Sequence, residues 1–61
     1  MYIINNKGYI FNTECISEIT SDGVCIYAVT NGTPRPISRN FKSLKTIEDA
    51  LRNNAPIVEV D

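Results

Sequence analysis

Apolar and polar positions along the chain divide it into a strand-forming N-terminal two thirds and a short helical remainder. Tyr2–Ile4 is a brief β-prone run, and Asn5-Asn6-Lys7-Gly8 follows as a turn cluster in which Gly8 is free to take positive φ. Tyr9–Phe11 is a second short strand, broken by Asn12-Thr13. Two dipeptides then dominate the pattern. Asp22-Gly23 and Asn31-Gly32 are favoured pairs for two-residue type I′ hairpin turns, and each separates alternating apolar runs.

If both loops hold two residues, the register follows. Ser21 faces Val24, Ile19 faces Ile26 and Ser17 faces Ala28 across the first turn. Thr30 faces Thr33, Ala28 faces Arg35 and Ile26 faces Ile37 across the second. Paired residues share a side of a sheet. One face then carries Ile19, Ile26 and Ile37 with Val24 and Ala28. The other carries Ile16, Val29 and Pro34 in one row, with Glu18, Tyr27 and Pro36 in the next. The prolines agree with this register. Hydrogen-bonded pairs alternate along an antiparallel ladder, so residues 34 and 36 direct their backbone nitrogens away from the partner strand. Pro34 and Pro36 have no N–H to lose there, and they make this strand an edge.

Beyond the meander, Leu44, Ile47, Ala50 and Leu51 recur at helical spacing. Ser43 is the expected N-cap, with Thr46 as a competitor, and Asn53-Asn54 followed by Pro56 end the helix. Ile57–Val60 is β-prone and a candidate to return beside the N-terminal strand. The fold class expected is α+β. It has one antiparallel sheet of four or five short strands, a meander with two tight hairpins, and one C-terminal helix on one face. The expected core is Ile19, Val24, Ile26, Ile37, Phe41, Leu44, Ile47 and Leu51.

A length of 61 residues permits a single domain, 1–61, that buries only about 60% of its unfolded surface. Chains this small draw extra stability from disulfides, metal, oligomerisation or close packing. Two cysteines ten apart and no histidine make neither a disulfide framework nor a zinc set. In the expected register Cys15 and Cys25 point to opposite faces, so they are expected to stay unbonded. The first residues lack a basic region followed by a long apolar run, and no stretch is long enough to span a membrane. A cytoplasmic, reducing location is the resulting expectation.

Chemistry narrows the choices further. General acid–base and nucleophilic catalysis need a base beside a nucleophile or paired carboxylates. The only adjacent acids, Glu48-Asp49, fall on the outer side of the helix. No enzyme and no cofactor are therefore expected. Net charge is −1, which disfavours nucleic acid and anionic membrane as partners. Yet four of the six cations, Arg35, Arg39, Lys42 and Lys45, lie within one acid-free segment. Arg35 and Arg39 would stand on one side of Ile37, and Lys42 and Lys45 would stand near helix N–H groups that attract anions. With Asn40 they form the candidate partner- or anion-binding site; protection of an edge strand by charge is the structural alternative. The second sheet face, Ile16, Tyr27, Val29, Pro34 and Pro36, is the candidate oligomer interface, most simply a homodimer, unless the chain's own ends cover it.

Tyr2–Asn5, Cys15-Ile16-Ser17-Glu18-Ile19, the Asn31-Gly32 turn and Phe41–Leu44 leading into Ile47–Leu51 together resemble a loose group of small proteins. These are the β-meander-plus-helix proteins of Gram-positive bacteria and their prophages. Thr33-Pro34-Arg35-Pro36 and the tail after the helix depart from that pattern. The group brings no activity with it; the resemblance implies a mobile-element or phage accessory protein. Two functional readings follow. The first is a non-enzymatic protein that occupies a partner, such as a phage-encoded inhibitor of a host or defence protein. The second is an oligomeric binder of a phosphorylated small ligand such as a nucleotide.

Overall fold

The computed structural model describes residues 1–61. Its class is α+β, with six strands and one α-helix. Instead of one sheet of four or five strands, the strands form two sheets of three. β1 (Tyr2–Ile4), β2 (Ile10–Asn12) and β6 (Ile57–Glu59) make the first sheet, in the order β2-β1-β6. β3 (Glu18–Ser21), β4 (Ile26–Thr30) and β5 (Thr33–Ser38) make the second, in the order β3-β4-β5. A 3₁₀ turn over Thr13–Cys15 divides the two, capped by Asn12, whose side chain accepts the Glu14 N–H at 3.0 Å. β6 runs parallel to β1, with the helix α1 (Ser43–Arg52) in the crossover that a parallel pair requires.

The Asn31-Gly32 hairpin forms as its sequence predicts. Asn31 and Gly32 take φ of 53° and 78°, and pairing runs from Thr30↔Thr33 to Tyr27↔Pro36. β5 is an edge, as its prolines require. The Asp22-Gly23 connection differs, because its loop holds four residues, Asp22–Cys25, and Ile19 faces Ala28 instead of Ile26. The reason is the aspartate side chain. Its Oδ1 accepts the amides of Val24 at 2.9 Å and Cys25 at 2.8 Å, which draws both residues out of the ladder. The slip is an even number of residues, so each side chain keeps its face.

The helix begins with Lys42 at the N-cap, making no side-chain cap bond, while the expected cap, Ser43, is helical and buried. The first N–H groups are instead taken by turn carbonyls: Ser43 to Asn40 and Leu44 to Phe41. The C-terminus is a Schellman motif. Asn54 takes φ of 52°, its N–H donates to the Leu51 carbonyl, and the Ala55 N–H donates to that of Ala50. Pro56 then starts the return, its carbonyl accepting the Tyr2 N–H at 2.9 Å.

The core lies between the two sheets and the helix. Ile3, Phe11 and Val58 enter it from the first sheet, Ile26, Ala28 and Ile37 from the second, and Ile47 from the helix. Ile19 and Leu44 pack at its margin. Val24, Phe41 and Leu51, expected inside, are exposed. Val24 sits in the enlarged loop, Phe41 in the turn before the helix, and Leu51 in the last helical turn.

Candidate functional site

One irregularity shapes the surface. The β4–β5 ladder shifts between Ile26 and Tyr27: Tyr27 faces Pro36, but Ile26 faces Ser38. Ile37 is the extra residue of a β-bulge, and both Ile37 and Ser38 are buried. A bulge reverses the alternation beyond it. Arg35, opposite buried Ala28, belongs to the inner side of the sheet, and its guanidinium carbon lies 5.7 Å from the centre of the Phe11 ring. Arg39 is turned to the other side, with Tyr27 and Pro36. The paired arginines expected from their spacing are thus separated, and the bulge is the reason.

The same reversal opens a groove of about 700 Å³. One wall is Pro36 to Asn40, together with Cys25 and Tyr27 from the neighbouring loop and strand. The other is the turn after β1, with Lys7 and Tyr9. Asn5 fixes the two walls to one another. Its Nδ2 donates to the Ile37 carbonyl at the bulge, at 2.9 Å, while its Oδ1 accepts the amides of Lys7 at 3.1 Å and Tyr9 at 3.0 Å. At the far end Asn40 uses three groups. Its N–H donates to Ser38 Oγ, its Oδ1 accepts the Lys42 N–H, and its Nδ2 donates to the Asp61 carboxylate at 3.1 Å.

The groove has mixed electrostatics. Lys7 and Arg39 are exposed cations in its lining, and Asp61 is an acid there. Tyr27 donates its hydroxyl to Asp22 Oδ2 at 3.0 Å. The Asp22 carboxyl is held below its ordinary value, first by the Cys25 amide, then by that of Val24, then by the Tyr27 hydroxyl. Tyr27 is pushed up in turn, because ionisation would lose that bond and set its charge beside the carboxylate. Tyr27 is therefore a neutral donor held in place.

Of the expected binding residues, Arg39 and Asn40 line the groove; Arg35, Lys42 and Lys45 do not. Lys45 pairs with Asp49 at 3.2 Å along the helix, as Arg52 does with Glu48 at 2.8 Å. The helical N–H groups expected to meet an anion there are already bonded within the turn. Of the expected interface residues, Tyr27 and Pro36 also line the groove, Val29 and Pro34 lie beside them in the sheet, and Ile16 packs against the core. Lys7 and Tyr9 belong to the site although the sequence marked only a turn and the start of a short strand there.

Cys15 and Cys25 are both free. No group of three or more histidine, cysteine or acidic side chains is placed to hold a metal ion. No helix is long and apolar enough to cross a membrane. No family model matches the chain, and no curated protein or solved structure matches it either.

Proposed function

We propose that this chain is a small non-enzymatic binding protein that acts by occupying a partner, and that the groove is its contact surface. The observation that carries this reading is the meeting of Arg39, Asn40, Tyr27 and Pro36 with Lys7 and Tyr9 in the lining of one groove. Two cations flank an open trough with aromatic walls. A guanidinium grips a carboxylate in bidentate fashion, an ammonium adds charge without fixed geometry, and tyrosines bury area at low entropic cost. The partner with matching chemistry is an acidic protein segment that also carries an aromatic or apolar side chain. Inhibition of a host or defence protein by occupancy, in a phage or mobile-element setting, is the role this reading expects.

The groove volume favours one other reading. About 700 Å³ lies within the ~300–1,000 Å³ usual for small-ligand sites. A phosphorylated ring compound would place its phosphate near Arg39 and Lys7 and its ring against Tyr9 or Tyr27.

Cys25 offers the test, since it lies in the groove wall while Cys15 is exposed outside it. Alkylation rates of both thiols are followed by mass spectrometry, first with pooled Asp/Glu-rich, Tyr-containing peptides, then with a nucleotide panel. Slower alkylation of Cys25 by the peptides, with Cys15 unchanged and the effect lost in Arg39→Glu, supports partner binding. Protection by nucleotides alone supports the second reading. Protection by neither removes the groove as the binding surface.

A further inference from the structure

The outer face of the first sheet is uncovered. Its registers arrange six side chains in two rows, Ile10–Ile4–Glu59 and Asn12–Tyr2–Ile57. The row between them, Phe11–Ile3–Val58, points into the core. Ile10 is 64% exposed, Ile57 55% and Tyr2 48%. Apolar side chains this exposed on adjacent strands form a continuous patch, and such patches on small proteins mark interfaces. None of the six residues lines the groove, so this surface stands apart from the reading above.

We propose that this face binds the same face of a second copy, in a two-fold dimer. The arrangement of its corners selects that occupant. Ile10 and Ile57 hold one diagonal, and Asn12 and Glu59 hold the other. A two-fold axis in the plane of the face, along the apolar diagonal, sets Ile10 against the partner's Ile10 and Ile57 against the partner's Ile57. It also exchanges the polar corners, so Asn12 meets the partner's Glu59, and does so twice. Asn12 suits that role. Its Oδ1 is already used by the Glu14 N–H, which leaves Nδ2, a donor, for a carboxylate to accept. An axis along the strands would instead bring Glu59 onto the partner's Ile10 and desolvate an unpaired charge. The favoured axis crosses the strands of the two sheets steeply, one of the two usual ways for sheets to pack.

The area fits a weak dimer. At their exposures Tyr2, Ile10 and Ile57 supply about 100 Å² each, and Ile4, Asn12 and Glu59 bring the face to about 450 Å², or ~900 Å² for the pair, near the lower limit for a specific interface. Association in the micromolar range or weaker is the expected result.

The experiment is sedimentation equilibrium from about 1 µM to 1 mM, spanning the range in which an interface of this size associates. The mass of the natural sequence should rise from 6.8 kDa toward twice that value. Ile10→Glu should stay monomeric throughout, with its circular dichroism unchanged. Asn12→Lys should tighten the dimer several-fold, since its ammonium meets the partner's Glu59, and adding Glu59→Lys should abolish it. Pro34→Glu, on the second sheet, should change nothing. A mass of 6.8 kDa across the whole range overturns the proposal. So does a dimer that survives Ile10→Glu, one that Pro34→Glu dissociates, or one that Asn12→Lys leaves unchanged.

Discussion

Asn5→Ala should destabilise this protein far more than an ordinary polar substitution. Asn5 is buried, and its side chain makes three hydrogen bonds that join the turn after β1 to the bulge in β5. Truncation leaves the three partners in different circumstances. The amides of Lys7 and Tyr9 belong to exposed residues, and water can replace the lost oxygen at little cost. The Ile37 carbonyl belongs to a buried residue. A buried polar group left unsatisfied costs about 1–3 kcal/mol, and the freed turn adds a smaller amount, so a total of about 2–3 kcal/mol is expected. A domain of this length has only about 3–9 kcal/mol of stability, so about a fifth or more would be lost. At about 4–8 °C per kcal/mol, the melting temperature should fall by ~10–20 °C. Urea denaturation followed by circular dichroism measures the loss through its midpoint, with an unchanged slope. Asn5→Asp separates the donor from the acceptors. It keeps both acceptor bonds but sets a carboxylate against the Ile37 carbonyl unless it is protonated. Its folded pKa is raised, so its stability relative to the natural sequence should fall as pH rises above about 4. A loss below about 0.5 kcal/mol for Asn5→Ala, the usual effect of a surface change, would refute the reasoning. The two sheets would then be held by apolar packing alone.

Three other outcomes are expected. Both thiols should react with a thiol reagent in the native protein, exposed Cys15 faster than half-buried Cys25; Ser should cost little at Cys15 and on the order of 1 kcal/mol or less at Cys25, and complete unfolding of the double variant would count against the placement of both. The Asp22–Tyr27 pair should stabilise the fold only between two limits: the lowered Asp22 value, set first by the Cys25 and Val24 amides and only then by the Tyr27 hydroxyl, gives stability that is present above its unfolded pKa of about 4 and lost as pH falls through the folded value, and the raised Tyr27 value gives stability present below about 10 and lost as pH rises through the folded value. Tyr27→Phe should therefore differ from the natural sequence in denaturation midpoint at pH 7 and converge with it at both extremes, and a constant difference would refute the pairing. Arg35→Met should cost no more than about 0.5 kcal/mol, because 5.7 Å to the Phe11 ring is near the outer limit for a cation–π contact, whereas Arg35→Ala should cost about 1 kcal/mol by also uncovering Phe11. A chemical denaturation series on both variants checks the order.

The parts of the fold legible in the sequence are those governed by local chemistry. Asn31-Gly32, Pro34 and Pro36 specify a turn and an edge without reference to the rest of the chain, and both are present. The helix and its end are equally local, since Asn54 can take positive φ and Pro56 cannot continue a helix. The division into two sheets is not local. β1, β2 and β6 have three residues each, too few for alternation to declare a face, and β6 finds β1 across almost the whole chain. That is why Ile3, Phe11 and Val58 escaped the expected core although all three lay in runs read as β-prone. Asp22-Gly23 misled for a chemical reason. The pair supports a two-residue turn, but the aspartate oxygen had two amides within reach ahead of it, and the larger loop that satisfies both formed.

The candidate site was half legible for a related reason. Spacing placed Arg35 and Arg39 together and assigned Tyr27 and Pro36 to a different face, which holds for any uninterrupted strand. One extra residue at Ile37 turns Arg39 alone to the other side, while Arg35 keeps the side that its pairing with Ala28 gives. Arg35 then covers Phe11, and Arg39 joins the residues that had been assigned to a separate interface. Nothing in Pro36–Arg39 singles out a bulge: there is no glycine, and Pro36 fits an edge strand as well as a bulge. What accompanies the bulge lies 32 residues away: the Asn5 amide donates to the Ile37 carbonyl, so the turned-out carbonyl of the bulge has a partner. The groove and the sheet packing thus share one hydrogen-bonded centre. A change at Asn5 should therefore disturb ligand protection at Cys25 as well as stability, whereas a change at Arg39 should disturb only the first.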